Sequence, residues 1–264
     1  FEELDTTMKT RRILPLFFII FAAFQAAFAQ DNSSPAVVLT ADGPIMPPML
    51  EYIKRGIETA DQRDAEVIII QLNTPGGSIE TMLEIIAAIR DSDVPVVVYV
   101  SPRNAIAGSA GAMITMAGHA SAMAPETSIG ASSPITSSGE NLNSTADTKA
   151  KEIVKASIRP FVTPRGEKAL ELAEAMVDDA KAVTADEALE AGLIDFIADD
   201  LEDLLQILEG FTVETKSGSR TLHTDGIVVL PINISFIEQL LLMLTDPNIA
   251  FLLLAIGEIG RAHV

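Results

Sequence analysis

From residue 36 onward, short β-rich runs alternate with stretches in which apolar residues recur every three or four positions. Ala36 to Thr40 predicts a strand, Met46 to Asp61 a helix, Val67 to Leu72 a buried strand, Ile79 to Arg90 an amphipathic helix and Val94 to Val100 another strand. Ala107 to Gly118 is rich in Ala, Gly and Met, as a buried helix is, and Ser121 to Met123 reads as a short strand ahead of Pro125. This β-α-β-α-β-α-β order predicts an α/β fold with helices covering a largely parallel sheet. Thr136 to Thr148 has no apolar periodicity and is expected to be a mobile loop. Helices are expected over Lys149 to Val162 and Glu167 to Asp178, and Thr184 and Glu187 have the spacing of a capping box that opens one more.

Two segments break this pattern. Met8 is followed by Lys9, Arg11 and Arg12, a mostly apolar run from Ile13 to Phe24, and Ala27-Phe28-Ala29, which has the small-x-small form of a cleavage site. Met8 to Ala29 therefore reads as a secretory signal peptide; its apolar run is shorter than the ~20 residues of a spanning helix. The seven residues ahead of Met8 read as upstream read-through. Near the other end, Phe236 to Met243 and Ile249 to Gly257 are apolar and separated by Asp246-Pro247-Asn248. They are expected to be a surface-lying helix followed by the first half of a transmembrane helix. The final heptapeptide, residues 258–264, resembles a translated sequencing adapter and is given no role.

Charge narrows the function. The formal net charge is −19, and the first 29 residues sum to zero, so the acidity belongs to the body of the protein. Such a surface repels phosphate backbones, which excludes nucleic-acid binding. With no Cys there is neither thiolate catalysis nor a Cys-ligated metal, and His119, His223 and His263 lack the close spacing of a metal site. No cofactor or metal is expected.

Two segments carry candidate chemistry. Asn73-Thr74-Pro75-Gly76-Gly77-Ser78 ends a buried strand and precedes a helix, where glycines let a ligand approach backbone N–H groups near a positive helix end. In Ala107-Gly108-Ser109-Ala110-Gly111 one hydroxyl stands among small residues at a predicted helix N-terminus. Small neighbours such as Gly77 and Gly108 admit a substrate backbone, and the N–H of Ala110 is placed to receive an oxyanion. A nucleophilic serine needs a base. His119, ten residues along the same helix, would lie ~15 Å away, out of proton-transfer reach. A lysine made neutral by burial serves instead, and Lys149, Lys151 and Lys155 follow the polar loop. Periodicity leaves Lys149 and Lys151 equivalent, since both flank the apolar face of Ala150, Ile153, Val154, Ser157, Ile158 and Phe161.

Several motifs together resemble one family. They are Asn73-Thr74-Pro75-Gly76-Gly77, Ser101-Pro102-Arg103 leading to Ser109-Ala110-Gly111, Ala122-Met123-Ala124-Pro125, Ser128-Ile129-Gly130-Ala131, Gly192-Leu193-Ile194-Asp195 and Asp246-Pro247-Asn248-Ile249-Ala250. The resemblance is to NfeD-type membrane-bound serine proteases of the ClpP/crotonase superfamily and extends over nearly everything from Ala36 to Gly257. It implies a ββα superhelix core, a Ser-Lys dyad, a membrane anchor, an extracytoplasmic site and a homo-oligomer, dimer or higher. It also implies a peptide or membrane-protein substrate, with a stomatin-like protein as partner. Ser109 matches the nucleophile, and the N–H groups of Gly76 and Ala110 match the oxyanion hole. The Ile158-Arg159 pair selects Lys149 as the base, with Lys151 as the fallback. ClpP keeps a His where this chain reads Ser132 or Ser133. Glu152 replaces the family's usual Asn, and Pro160 and Pro164 fall where its helix is usually unbroken.

The implied organisation is an upstream piece and signal peptide over 1–29, a protease domain over 30–212, and a linker with a truncated membrane segment over 213–264. Readings from other classes are an SppA-like signal peptide peptidase, which normally has a duplicated core, a crotonase-type acyl-CoA enzyme, which an export signal opposes, and an inactive ClpP-fold scaffold.

Overall fold

A computed structural model describes residues 34–133, 144–245 and 249. The expected signal peptide, the apolar run after residue 249 and the final heptapeptide lie outside the described residues, as does the loop from Thr136 to residue 143.

The apolar runs build a six-stranded sheet from β1 (Ala36–Asp42), β2 (Val67–Asn73), β3 (Val96–Val100), β5 (Ala120–Met123), β8 (Phe196–Ile197) and β11 (Val229–Ile232), in the order β11-β1-β2-β3-β5-β8. Every pairing in it is parallel. Both faces are covered, so β2 and β3 are nearly all apolar rather than alternating. Successive side chains still point to opposite sides. Leu39, Ile70 and Val98 pack under α1 (Pro47–Gln62), α2 (Ile79–Arg90) and α3 (Ala110–Ala117). Val38, Ile69 and Val97 pack under α7 (Leu201–Leu208) and the hairpin of β9 (Thr212–Thr215) and β10 (Gly218–Thr221). α1 comes so close to β1 that a Cβ on Gly56 would lie 2.2 Å from Leu39.

A second, three-stranded sheet joins β4 (Ile106–Gly108) in parallel to β6 (Ser128–Gly130) and antiparallel β7 (Ala182–Thr184). The chain thus runs β3-β4-α3 and then β5-β6-α4, with α4 spanning Ser144–Val162. This is the expected ββα repeat of the ClpP/crotonase fold. α5 (Glu167–Asp178) packs on α4, and α6 (Ala185–Glu190) starts with the expected Thr184–Glu187 capping box.

Four expectations change. α3 begins at Ala110 rather than Ala107, because Ala107 and Gly108 are drawn into β4 by the bridge from Thr74 to Ala107. α4 begins at Ser144, so the end of the expected loop is helical; an Asp147–Lys151 ion pair of 3.2 Å, four residues apart, ties that first turn. Pro160 does not break the helix, since it falls in the last turn and the chain passes into a short 3-10 turn over Thr163–Arg165. The stretch from Val213, expected to be linker and anchor, includes a hairpin and an edge strand. β11 pairs with β1, and its Pro231 is tolerated at the sheet edge, where one N–H is dispensable. α8 (Phe236–Leu244) is then fastened to α1 by Arg55, which donates to both carboxylate oxygens of Glu238 at 2.9 and 2.7 Å.

Candidate active site

Ser109 forms the turn between β4 and α3 with φ 50° and ψ −114°. A side chain is strained in that region, at a cost of order 1–3 kcal/mol, and such strain persists only where the surroundings hold it. Here they do. The N–H of Ser109 donates to Gly130 O at 2.8 Å, and its carbonyl accepts from Ala112 N at 3.0 Å and from Ser132 Oγ at 3.1 Å. The hydroxyl caps nothing, so Ser109 is not serving as an N-cap.

The Thr74–Gly77 loop is locked against this turn at backbone contact distance. Thr74 N donates to Ile106 O at 2.8 Å, and Gly108 N donates back to Thr74 O at 2.9 Å. A Cβ on Gly76 would lie 2.6 Å from Ser109 Cβ, one on Gly108 2.9 Å from Pro75 O, and one on Gly111 2.4 Å from Thr74 Cγ2. Gly76 also has φ +115°, which only glycine adopts without strain. Asn73 completes the junction: its Oδ1 accepts from Ile106 N, and its Nδ2 donates to Asp42 Oδ1, both at 3.1 Å.

The structure thereby brings Gly76, Gly77, Gly108, Ser109 and Ala110 together, but it changes which glycine N–H is free. Gly76 donates its N–H to Thr74 Oγ1 at 3.1 Å, whereas the N–H of Gly77 has no partner among the described residues. Gly76 O accepts from Ile45 N at 2.8 Å. Because a trans peptide points its C=O and N–H in opposite directions, the Gly77 N–H faces away from Ile45. Gly77, Ala110 and Ser132 rim a narrow pocket of about 20 Å³ beside Ser109, and Ile79, Met82, Met113 and Val154 give it an apolar wall. The Ala110 N–H, in the first turn of α3, has no side-chain cap. Two outward N–H groups, one just ahead of α2 and one opening α3, beside a hydroxyl have the form of an oxyanion pocket. Sequence reasoning missed the part of Thr74, whose buried hydroxyl occupies the Gly76 N–H. Nothing in the spacing distinguishes it from a packed threonine.

The lysines separate by environment. Lys155 is buried and ion-paired with Glu152 at 2.6 Å and Asp178 at 3.1 Å; the hydrogen bond it donates to Glu152, above all, pushes its pKa up. Lys151 binds Asp147 and donates to Asp178 O at 3.0 Å. Lys149 is exposed, makes no ion pair among the described residues, and shares a face of α4 with Ile153, which is 56 % exposed. The apolar face of α4 is formed by Val154, Ile158 and Val162 without Ile153, so neither Lys149 nor Lys151 lines the Ser109 pocket.

His119 sits at the far end of α3, as expected, and is not a base for Ser109. Its Nδ1 accepts from Val96 N at 3.0 Å, and burial, followed by the nearby Arg90 charge, lowers its pKa to about 4. The unfolded chain therefore takes up a proton near pH 6.5 that the folded protein refuses until about pH 4. Stability is complete above pH 6.5 and falls across that window, by up to about 3 kcal/mol. Urea unfolding at pH 7 and pH 4.5 checks this: much of the drop should vanish in His119→Gln.

A family profile described as NfeD1b, N-terminal domain, matches residues 41–215. The chain belongs to this family. Within it, the chain is 37% identical over 210 residues to membrane-bound protease PH1510 of Pyrococcus horikoshii, an alignment covering 78% of this chain and 47% of that protein. It is 29% identical over 226 residues to membrane protein NfeD1b of Bacillus subtilis, covering 80% and 46%. The chain thus spans about half the length of these curated relatives. Among solved structures it is similar to 1510-N, a membrane-bound stomatin-specific protease, as a lysine-to-alanine mutant in complex with a substrate peptide. The TM-score is 0.74 at 31% identity, covering 81% of this chain and 99% of that one. A serine-to-alanine mutant of 1510-N superposes with a TM-score of 0.70 at 31% identity, covering 77% and 99%.

Proposed function

We propose that this NfeD-family chain is a membrane-anchored serine endopeptidase that cuts apolar segments of membrane-associated proteins through a Ser109–Lys149 dyad. The observation that carries the reading is the strained Ser109 turn, held by backbone bonds against Thr74–Gly77 with a free hydroxyl and two outward N–H groups beside it. In the first step the Ser109 proton passes to Lys149 Nζ while Oγ bonds to the scissile carbonyl carbon. The carbonyl oxygen, now negative, is received by the N–H groups of Ala110 and Gly77. Collapse expels the amine, which takes the proton from Lys149; water then cleaves the acyl-serine by the same route. Met82, Met113, Ile79 and Val154 make the wall beside Ser109 apolar, but at about 20 Å³ the pocket has room only for a water-sized group, so an apolar side chain next to the cut would lie against its mouth.

Two things favour Lys149 over its neighbours, the family resemblance and the carboxylates that hold Lys151 and Lys155, and an interval sets Lys155 aside. In the 1510-N mutants the exchanged lysine follows the exchanged serine by some forty residues, as Lys149 and Lys151 follow Ser109 here. Exposed Ile153 beside Lys149 supports a homo-oligomer, because a neighbour or substrate covering Ile153 also withdraws Lys149 from water, the condition a lysine base requires. A stomatin-like protein is the proposed natural substrate, by analogy with 1510-N. A fluorophosphonate probe tests the reading. Wild-type protein should be labelled and Ser109→Ala should not; failure to label the wild type supports the inactive scaffold.

The site is proposed to work at an extracytoplasmic membrane surface. No helix among the described residues is long and apolar enough to cross a membrane. α8 nevertheless turns Phe236 (79 % exposed), Ile237, Leu240, Leu241 and Met243 outward, while Glu238 points inward to Arg55. Patches of this kind are normally covered. A lipid surface fits best: the outward face carries no charge, and in the sequence the apolar run from Ile249 to Gly257 follows after Asp246-Pro247-Asn248. α8 also shares a groove with Asp42 and Pro44, next to Ile45, which holds Gly76. The chain has no tryptophan, so Phe236→Trp gives a single reporter. With phosphatidylcholine vesicles its emission should shift to the blue and be quenched by brominated acyl chains. An already blue emission without lipid, or one that changes only with protein concentration, would assign this face to the chain's own apolar run or to a second copy.

A further inference from the structure

The hydroxyl of Ser132 has no part in the proposed proton transfer, yet it is 4% exposed and opens onto the same pocket as Ser109. Its proton goes to the carbonyl oxygen of Ser109 at 3.1 Å. That carbonyl and the Ala110 N–H are the two ends of one planar trans peptide, so a group that grips the oxygen sets the direction of the N–H. Resting on the peptidase reading above, we propose that Ser132 is a positioning residue for the oxyanion pocket: it pins the Ser109–Ala110 peptide by its oxygen and so aims the Ala110 N–H at the developing oxyanion.

The peptide needs such a hold because the residue preceding it is strained. At φ 50° and ψ −114°, Ser109 relaxes most readily by rotating the peptide that follows, which would swing a carbonyl oxygen towards the place the oxyanion must occupy. The bond from Ala112 N resists this only as far as the first turn of an eight-residue helix does. Ser132 adds a hold from outside the helix, and it is itself firmly mounted. Its N–H donates to Met176 O at 2.8 Å, Ala131 N donates to Lys181 O at 2.8 Å, and Ser133 Oγ donates to Val177 O at 2.8 Å. A Cβ on Gly130 would come within 2.2 Å of Lys181 O, so the strand lies flush on the end of α5 and the following turn. One segment, Gly130–Ser133, therefore accepts the N–H of Ser109 and grips its carbonyl from a base of three bonds, two to α5 and one to Lys181 after it. The second donor is aimed in the same way, since the Gly76 carbonyl is held by Ile45 N and the Gly77 N–H points away from it.

The test compares Ser132→Ala, Ser132→Cys and Ser132→Thr with wild type and with Ser109→Ala on a fluorogenic apolar peptide. Loss of a direct oxyanion donor costs ~10²–10³ in kcat, and loss of its positioning group should cost less, about tenfold. Ser132→Ala should lower kcat by about that factor with KM within twofold, and the rate of fluorophosphonate labelling should fall in parallel. Cysteine fills the same space with a weak donor, so Ser132→Cys should be as slow as the alanine variant, whereas Ser132→Thr, which keeps the hydroxyl, should recover most of the rate. A Ser132→Cys protein with wild-type kcat, or a Ser132→Ala defect confined to KM or to melting temperature, overturns the positioning role. Activity surviving in Ser109→Ala would instead overturn the peptidase reading, which makes the two failures distinguishable.

Discussion

Ser109→Ala is expected to cut turnover of an apolar peptide at least ~10³-fold, in line with the loss of a nucleophile elsewhere, without unfolding the protein. The hydroxyl makes no capping bond, and what holds the turn is the backbone of Ser109, which alanine retains. A further variant separates strain from chemistry. Ser109→Gly removes both the hydroxyl and the Cβ that makes φ 50° costly, so it should be equally inactive yet melt a few degrees higher, as relief of about 1 kcal/mol predicts for a domain of this size. Peptide turnover and a thermal melt on purified variants check both halves. Retained turnover in Ser109→Ala removes Ser109 as the nucleophile; a lower melting temperature for Ser109→Gly means that the turn is not strained.

The second large effect concerns the base. A lysine with the ordinary pKa near 10.4 is less than ~0.1% neutral at pH 7, and pairing with a carboxylate makes the neutral form scarcer still. Lys155, held by Glu152 and Asp178, is thus placed to stabilise the α4–α5 contact rather than to accept a proton. Lys149→Ala should lower kcat by at least ~10²-fold, the lower end of what a positioned base contributes. Lys151→Ala and Lys155→Ala should keep most of the activity, and Lys155→Ala should lose melting temperature instead. Parallel assays of the three variants decide the matter. If Lys151→Ala is the inactive one, the dyad stands with its register moved by two residues; if all three remain active, the Ser-Lys mechanism fails.

Much of this was legible in the chain because the relevant physics is local. Nearly continuous apolar runs at Val67–Leu72 and Val96–Val100 require a sheet covered on both faces, and the helix-spaced stretches between them supply the cover. The capping box at Thr184 is complete within four residues and formed as expected. Ser109 was visible as a lone hydroxyl among glycines and alanines at a strand–helix junction, a place where a serine is more often a helix N-cap, and the surrounding motifs singled it out.

What escaped the sequence depends on atoms far apart along the chain. Which N–H faces the pocket turned on a hydroxyl two residues before Gly76 and on Ile45, more than thirty positions away, so Gly76 and Gly77 are equivalent until the loop is folded. The lysines, two and four residues apart on one helix, are sorted partly by that helix, where Asp147 pairs with Lys151 and Glu152 with Lys155, and partly by Asp178 of the next helix, which accepts from both. Val229–Ile232 is too short and too plain to announce itself as a strand; it becomes one because β1 offers it an open edge. Periodicity and residue type thus establish the layers and single out Ser109 as a candidate, since each follows from side chains a few positions apart. The direction of the Gly77 N–H and the hold of Asp178 on Lys151 and Lys155 follow from hydrogen bonds across the fold, and those exist only once the chain has closed on itself.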